Sequence, residues 1–294
     1  MPVISPSAFA PPAVPRAAAP RVRAANDAAG LVSTDLRERV RRLERAHSVQ
    51  RAGKAAVSTG LPALDALLPE GGLLTGALHE IEAGPAPSGR VAAHDGAALG
   101  FTAHLLGRFA AAMPGGTLLW CRRPSGVFDA PPYAPALAAS FDPARLLIAT
   151  AQRDEDVFWA MEEGLRCPGI AAVLGETRAA DATAGRRLSL AAEKSGVPAL
   201  LLRPQPAPPQ SVCMTRWRIA SAPSRSTPGL HDVGAARWRL ELRRNRFGAP
   251  SVAEIPSWLV EWNDETHCLA VVPETLHGSI GAGWTESDAT RLVG

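Results

Sequence analysis

Ala77-Leu78-His79-Glu80-Ile81-Glu82 leads, through Ala83, into Gly84-Pro85-Ala86-Pro87-Ser88-Gly89-Arg90-Val91. The second stretch has the length and both glycines of the phosphate-binding pattern G-x-x-x-x-G-K-[ST]. An apolar, strand-like run precedes it and a helix-like stretch follows, which is the context that pattern requires. Two positions depart from it. Arg90 stands where a lysine reaches the β- and γ-phosphates, and Val91 stands where a hydroxyl holds Mg²⁺. The Val91 side chain has no atom that binds a metal. Gly84, Ser88, Gly89 and Arg90 are the candidate nucleotide contacts, because backbone amides at a helix N-terminus hold anions. Pro85 and Pro87 each remove one such amide. The expectation is a phosphate loop that has kept its scaffold and lost its chemistry, with ATP at most bound and not hydrolysed.

Outward from this loop the chain alternates. Candidate strands are 77–82, 117–121, 145–149, 170–174 and 198–202, and candidate helices are 89–113, 132–139, 154–165 and 181–195. Short strands separated by helices predict a mostly parallel sheet with right-handed crossovers. Beyond the proline-rich break at 204–209, the segments 214–220, 236–243 and 251–262 alternate polar and apolar residues. That pattern predicts antiparallel strands added to one edge. The fold class read from the chain is therefore α/β, a mostly parallel sheet flanked by helices with antiparallel edge strands.

The ends read differently. Residues 1–30 are Ala/Pro-rich and predict a disordered tail. Residues 31–54 predict a basic helix, capped at Ser33 or Thr34, with Leu36, Val40 and Leu43 as its apolar stripe. Arg37 and Arg41 on that helix are candidate partner or nucleic-acid contacts. The globular domain spans 55–273, and 274–294 predicts a flexible tail. Charge follows this division: residues 1–54 carry ten Arg/Lys against four Asp/Glu, a net +6, within a chain whose total is +3. Lys54 and Lys194 are the only lysines.

No apolar run is long enough to span a bilayer, and no charged start with a compact apolar core marks a secretory leader. Cys121, Cys167, Cys213 and Cys268 stand alone, without metal-ligand or C-x-x-C spacing. A reduced cytoplasm is the expected location. No metal site is expected.

A second basic cluster lies at Arg237-Trp238-Arg239-Leu240-Glu241-Leu242-Arg243-Arg244-Asn245-Arg246. On a strand, Trp238, Leu240 and Leu242 share one face and the charged residues take the other, with Arg244-Asn245-Arg246 in the following turn. Arg243, Arg244 and Arg246 are candidate contacts to nucleotide across an interface, to DNA phosphates or to an acidic partner. A solvated arginine face that keeps an edge strand from aggregating is the alternative.

Upstream of the loop stand Val57-Ser58-Thr59-Gly60-Leu61-Pro62-Ala63-Leu64-Asp65 and Gly71-Gly72-Leu73-Leu74-Thr75-Gly76. Their order and spacing before the strand and loop resemble the opening of the RecA-family ATPase core. Its glycines let backbone turns pass close to the nucleotide pocket. The resemblance implies a RecA-like core and identifies Arg244 and Arg246 with two basic positions that reach a neighbouring subunit's nucleotide. It also implies a catalytic carboxylate after the second core strand, where this chain has Cys121-Arg122-Arg123-Pro124, and a metal-orienting aspartate where Gly175 precedes Glu176. More narrowly the chain resembles the ImuA family of the damage-inducible mutagenesis cassette. The residues carrying this are the altered loop, Leu118-Leu119-Trp120-Cys121, Ala172-Val173-Leu174-Gly175-Glu176, Arg216-Trp217-Arg218 and Arg237-Trp238-Arg239-Leu240.

That resemblance implies a non-catalytic adaptor acting with an ImuB-like protein and an error-prone C-family polymerase in SOS translesion synthesis, with RecA and DNA as further contacts and no membrane. The alternatives are a weak ATPase completed in trans and a SulA-like inhibitor of cell division. The short segments after Glu176 and Leu202 leave little room for long mobile DNA-binding loops.

Overall fold

The computed structural model describes residues 55–85, 96–124, 132–178, 181–203, 211–225, 234–247 and 255–273. The predicted tail 1–30, basic helix 31–54 and tail 274–294 lie outside the described residues. In chain order the elements are β1 (Ala56–Val57), α1 (Pro62–Asp65), β2 (Leu73–Leu74), β3 (Leu78–Ala83), α2 (Gly96–Ala112), β4 (Thr117–Arg122), α3 (Ala134–Leu137), β5 (Leu146–Thr150), α4 (Asp154–Arg166), β6 (Ile170–Glu176), α5 (Ala182–Ser195), β7 (Ala199–Arg203), β8 (Thr215–Ala222), β9 (Arg237–Asn245), β10 (Ser257–Asn263) and β11 (Cys268–Val272).

Nine strands form one sheet in the order β11-β10-β9-β8-β3-β7-β6-β4-β5. Six of them, from β8 to β5, pair in parallel. The other three join as an antiparallel run on the β8 side. This is the predicted architecture, a parallel centre with an antiparallel edge. The strand β3 that feeds the Gly84 loop is central, between β7 and β8.

Parallel strands covered on both faces carry apolar side chains at successive positions, and the residues here divide accordingly. Leu118 and Trp120 of β4, Leu174 of β6 and Leu200 of β7 pack with Phe101, Leu105 and Phe109 of α2. Their neighbours Leu119, Cys121, Val173 and Leu201 turn to the opposite face, against Val157 and Met161 of α4 and Leu188 of α5. Asp181 starts α5 by accepting the amides of Thr183 at 2.8 Å and Ala184 at 3.1 Å, the usual N-cap arrangement. Gly196 ends it in the left-handed conformation, with φ of 80°, where glycine carries no Cβ penalty.

Two predicted elements are corrected, while the helix predicted over 89–113 is found over its described part, Gly96–Ala112. The stretch 132–139 forms only the single turn α3, because Pro132 and Pro135 limit the amides available for a ladder. The last edge strand starts at Ser257, after Pro256, and is followed by β11, which pattern reading passed over. The β10–β11 turn is held by Asn263, whose Oδ1 accepts the amides of Glu265 at 2.9 Å and Thr266 at 2.8 Å. Among the described residues no helix is long and apolar enough to cross a membrane.

Candidate functional site

In sheets of this kind ligands bind at the carboxyl ends of the strands, where neighbouring connections leave in opposite directions. At that end of β3, the Gly84 amide donates to the Ile219 carbonyl at 2.6 Å. A Cβ at Gly84 would meet the Ala220 Cβ at 2.8 Å, so only glycine lets the strand leave this close to β8. Ser88, Gly89, Arg90 and Val91 lie outside the described residues.

The chain passes outward from β4 to β5 and inward from β6 to β7, so the crevice falls between β4 and β6. Arg122 and Glu176, the last residues of those strands, are register partners. The Arg122 Nε donates to Glu176 Oε2 at 3.2 Å, and the Trp120 Nε1 donates to the same oxygen at 3.2 Å. Both strand ends face the α2 side, the side to which the Gly84 loop leads. Arg122 is buried, so its charge is compensated in place by Glu176. An oxygen already accepting two donors is a poor general base and a poor metal ligand. Arg123 turns away, its Nη1 2.9 Å from Asp154 Oδ2. Among the described residues no group of three or more His, Cys, Asp and Glu side chains is placed to hold a metal ion.

On the opposite face, sequence reading missed a buried charge network. Glu80 and Glu82 alternate with Ile81 along β3 and are almost fully enclosed. Arg216 Nε donates to Glu80 Oε2 at 2.9 Å and lies 3.4 Å from Glu82 Oε1. Ser211 donates its hydroxyl to Glu80 Oε1 at 2.7 Å. Arg203 is 3.9 Å from Glu80, and Arg218 is 3.8 Å from Glu82. Burial pulls the Arg203 guanidinium below its ordinary range, and Glu80 opposes that shift. The signal was present as Glu-x-Glu on β3 beside Arg-x-Arg on β8, legible only once the two strands are known to pair.

His79 lies one step before this network and is fully buried. Its Nδ1 is 2.8 Å from Thr215 Oγ1 and its Nε2 2.9 Å from the Leu74 carbonyl. The Thr215 oxygen also accepts from Trp217 Nε1 at 2.9 Å. The carbonyl fixes the proton on Nε2, leaving Nδ1 to accept from the threonine. Burial pushes the imidazole from 6.5 down to about 4, against the opposing pull of the Leu74 carbonyl. Below pH 6.5 the unfolded chain takes up a proton that the folded His79 refuses, so stability is full above 6.5 and falls until about pH 4. The loss over that window is about 3 kcal/mol. Urea unfolding at pH 7 and pH 4.5 checks this, and the part of the difference due to His79 disappears in His79→Gln.

The basic cluster on β9 is placed differently from expectation. Arg244 and Asn245 belong to the strand rather than to a turn. A bulge opposite Arg216 and Trp217 pairs Leu242 with Trp217 and Arg244 with Arg216, leaving Arg243 as the extra residue. Asn245 is buried and donates to the Leu67 carbonyl at 2.8 Å. Arg243 and Arg246 are exposed, and Arg243 lies 3.4 Å from Glu241. Arg237 is turned onto Glu261, its Nε 2.6 Å from Oε2. Arg244 pairs beside the amino end of β8, so Arg243, Arg244 and Arg246 sit at the opposite end of the sheet from Gly84. At 3.3 Å per residue, β3 separates the two by roughly 15–20 Å. One chain does not bring Arg244 or Arg246 to its own Gly84 loop; Arg37 and Arg41 lie outside the described residues.

The upstream motif also sits at that amino end. Asp65 accepts from the Ser58 hydroxyl at 2.6 Å and from the Thr59 amide and hydroxyl at 2.9 and 2.8 Å. His104 Nε2 and Arg108 Nε donate to the Thr59 and Ser58 carbonyls at 2.7 and 2.9 Å. A Cβ at Gly72 would lie 2.5 Å from the Val57 carbonyl oxygen. The expectation that these glycines border a nucleotide pocket is therefore corrected. They let β1 and β2 close on each other, and the motif anchors this cap to α2.

Fold and site together define an α/β protein whose phosphate-loop-like segment leaves a central strand, and whose switch-point carboxylate is held by an arginine. No family model matches the chain. Protein ImuA of Caulobacter vibrioides strain NA1000 / CB15N is 33% identical over 235 residues, covering 74% of this chain and 87% of that protein. Protein ImuA of Caulobacter vibrioides strain ATCC 19089 / CB 15 gives the same identity and coverage. The chain belongs to the ImuA family.

Proposed function

We propose that this protein is a non-catalytic, RecA-like adaptor of SOS translesion synthesis in the cytoplasm. It acts with an ImuB-like protein and an error-prone C-family polymerase, with RecA and DNA as further contacts. The observation that carries the non-catalytic part is the Arg122–Glu176 pair. The carboxylate nearest the crevice is engaged by a buried guanidinium and an indole, and Val91 supplies no metal ligand. Arg243 and Arg246 are surface groups of the kind an adaptor uses for DNA or an acidic partner. The distance between them and Gly84 means that Arg243 and Arg246 would reach a nucleotide only on another molecule.

The test is ATP hydrolysis by the purified full chain and by Arg90→Ala, each with and without Mg²⁺. Equal background rates are expected in all four measurements. Mg²⁺-dependent turnover that disappears in Arg90→Ala would restore the enzyme reading. A SulA-like inhibitor instead predicts filamentous cells on overproduction, and normal division is expected.

A further inference from the structure

The sheet has two edges, and one of them carries none of the devices that keep an edge strand from pairing. β5 is the terminal strand on the parallel side, bonded to β4 alone. Natural edges are guarded by a charge, a proline, a bulge or a covering element. The five residues Leu146-Leu147-Ile148-Ala149-Thr150 contain no charge and no proline, and their register with β4 is unbroken. Leu147 is 57% exposed and Ile148 is 37% exposed. Leu147 lies opposite Leu119 and Ile148 opposite Trp120, so the two side chains stand on opposite faces of the sheet. The apolar surface wraps around the edge rather than lying on one side of it.

The main chain of this edge is as open as its side chains. The Ala151 amide donates to the Arg122 carbonyl at 2.9 Å. The N–H and C=O of one strand residue point the same way, and successive residues alternate. Positions 147, 149 and 151 are thus turned to β4, while Ile148 and Thr150 present their amides and carbonyls outward. Those groups have no hydrogen-bond partner among the described residues. The charges beside the strand are engaged within the chain. Arg145 turns inward and donates to the carbonyls of Gly116 at 2.8 Å and Ala110 at 3.1 Å, and Asp142 accepts the Ala144 amide at 2.9 Å. Beyond the other end, Arg123 pairs with Asp154 at 2.9 Å and Arg153 with Asp156 at 2.7 Å, and Glu155 adds its attraction to Arg153. The edge therefore offers an uncharged row of main-chain donors and acceptors between apolar side chains.

We infer that two copies of this chain associate through β5, antiparallel about a two-fold axis, so that their sheets become continuous. Outward main-chain groups in this spacing are matched by another strand. Because β5 is uncharged, pairing it with itself sets no like charges face to face, which is what opposes self-pairing of charged strands. Another copy is also the one complementary strand present wherever this chain is present. The two-fold arrangement uses the β5 edge of both molecules and closes the contact. Joining β5 to the opposite edge, β11, would instead leave an open edge at each end and propagate without limit. Five residues make a small interface, so the dimer is weak and concentration-dependent rather than obligate. The inference does not depend on the mutagenesis reading.

The test is sedimentation velocity of the full chain from about 1 to 200 μM, the range in which a weak dimer forms, for the wild type, Leu147→Lys, Thr150→Pro and Leu190→Lys. Both edge variants are expected to keep the fold. Leu147 is exposed, and proline is accepted on an edge strand where the amide faces outward. Leu190 is exposed on α5, the helix between β6 and β7, and serves as the control. Wild type and Leu190→Lys should pass from monomer to dimer as concentration rises. Each substitution enters a two-fold contact twice, so both edge variants should weaken the dimer by about tenfold or more, with circular dichroism unchanged. Should Thr150→Pro alter that spectrum, Leu147→Lys alone decides. A wild type that stays monomeric throughout, a dimer that a folded edge variant leaves intact, equal weakening in Leu190→Lys, or assemblies that grow past the dimer would overturn the inference.

Discussion

Glu80→Ala is expected to cost roughly 3–5 kcal/mol of folding stability, the size of effect seen when one member of a buried ion pair is removed. The reason lies in what remains. Arg203 and Arg216 keep their positive charges beside β3, and Ser211 loses the acceptor 2.7 Å away. Arg216 would still have Glu82 at 3.4 Å, whereas Arg203 loses the Glu80 carboxylate 3.9 Å away. The double variant Glu80→Leu with Arg216→Met removes charge from both strands at once, and it should recover a substantial part of the loss, because matched apolar groups replace buried pairs at little cost. Urea unfolding of Glu80→Leu, of Arg216→Met and of the double variant reads this coupling directly. Strictly additive losses would mean that Glu80 and Arg216 do not act as a pair.

This network shows how much the sequence could tell. The six parallel strands, their alternation with helices and the start of the antiparallel edge were legible because each is written in local periodicity, while the short β1 and β2 and the last strand β11 were not. Which strand lies beside which is not local. Glu80 and Arg216 are far apart in the chain and meet only because β3 pairs with β8. The same holds for Arg122 and Glu176, whose meeting depends on β6 lying next to β4. Read alone, the arginine looked like a missing base and the glutamate like a displaced metal ligand. Side by side they are each other's partner.

The basic cluster failed in a different way. A run of Arg244-Asn245-Arg246 reads as a turn, and the bulge that keeps Arg244 in β9 leaves no mark in the pattern. Asn245 is spent on the Leu67 carbonyl rather than on a ligand. The Ser58-Thr59 and Asp65 motif was correctly singled out as important, but for anchoring a cap at the amino end of the sheet. Its hydrogen bonds close on themselves and on His104 and Arg108. The loop at Ser88, Gly89 and Arg90 stays a matter of sequence, as do Arg37 and Arg41.

The second large effect is expected in cells. Damage-induced mutagenesis should fall to the uninduced background when the gene is deleted, as the proposed adaptor role implies, and should return when the wild-type chain is supplied. An adaptor needs its surfaces and its fold, and not a turnover step. Supplying Arg90→Ala should therefore restore induced mutagenesis as fully as the wild type does. Glu176→Gln should restore it too, since the amide keeps an acceptor for Arg122 and Trp120. Protein levels measured alongside separate loss of function from loss of the chain. The decisive measurement is the induced mutation frequency with Arg90→Ala at wild-type abundance: wild-type frequency is the predicted result, and a frequency no higher than that of the deletion would contradict the adaptor account.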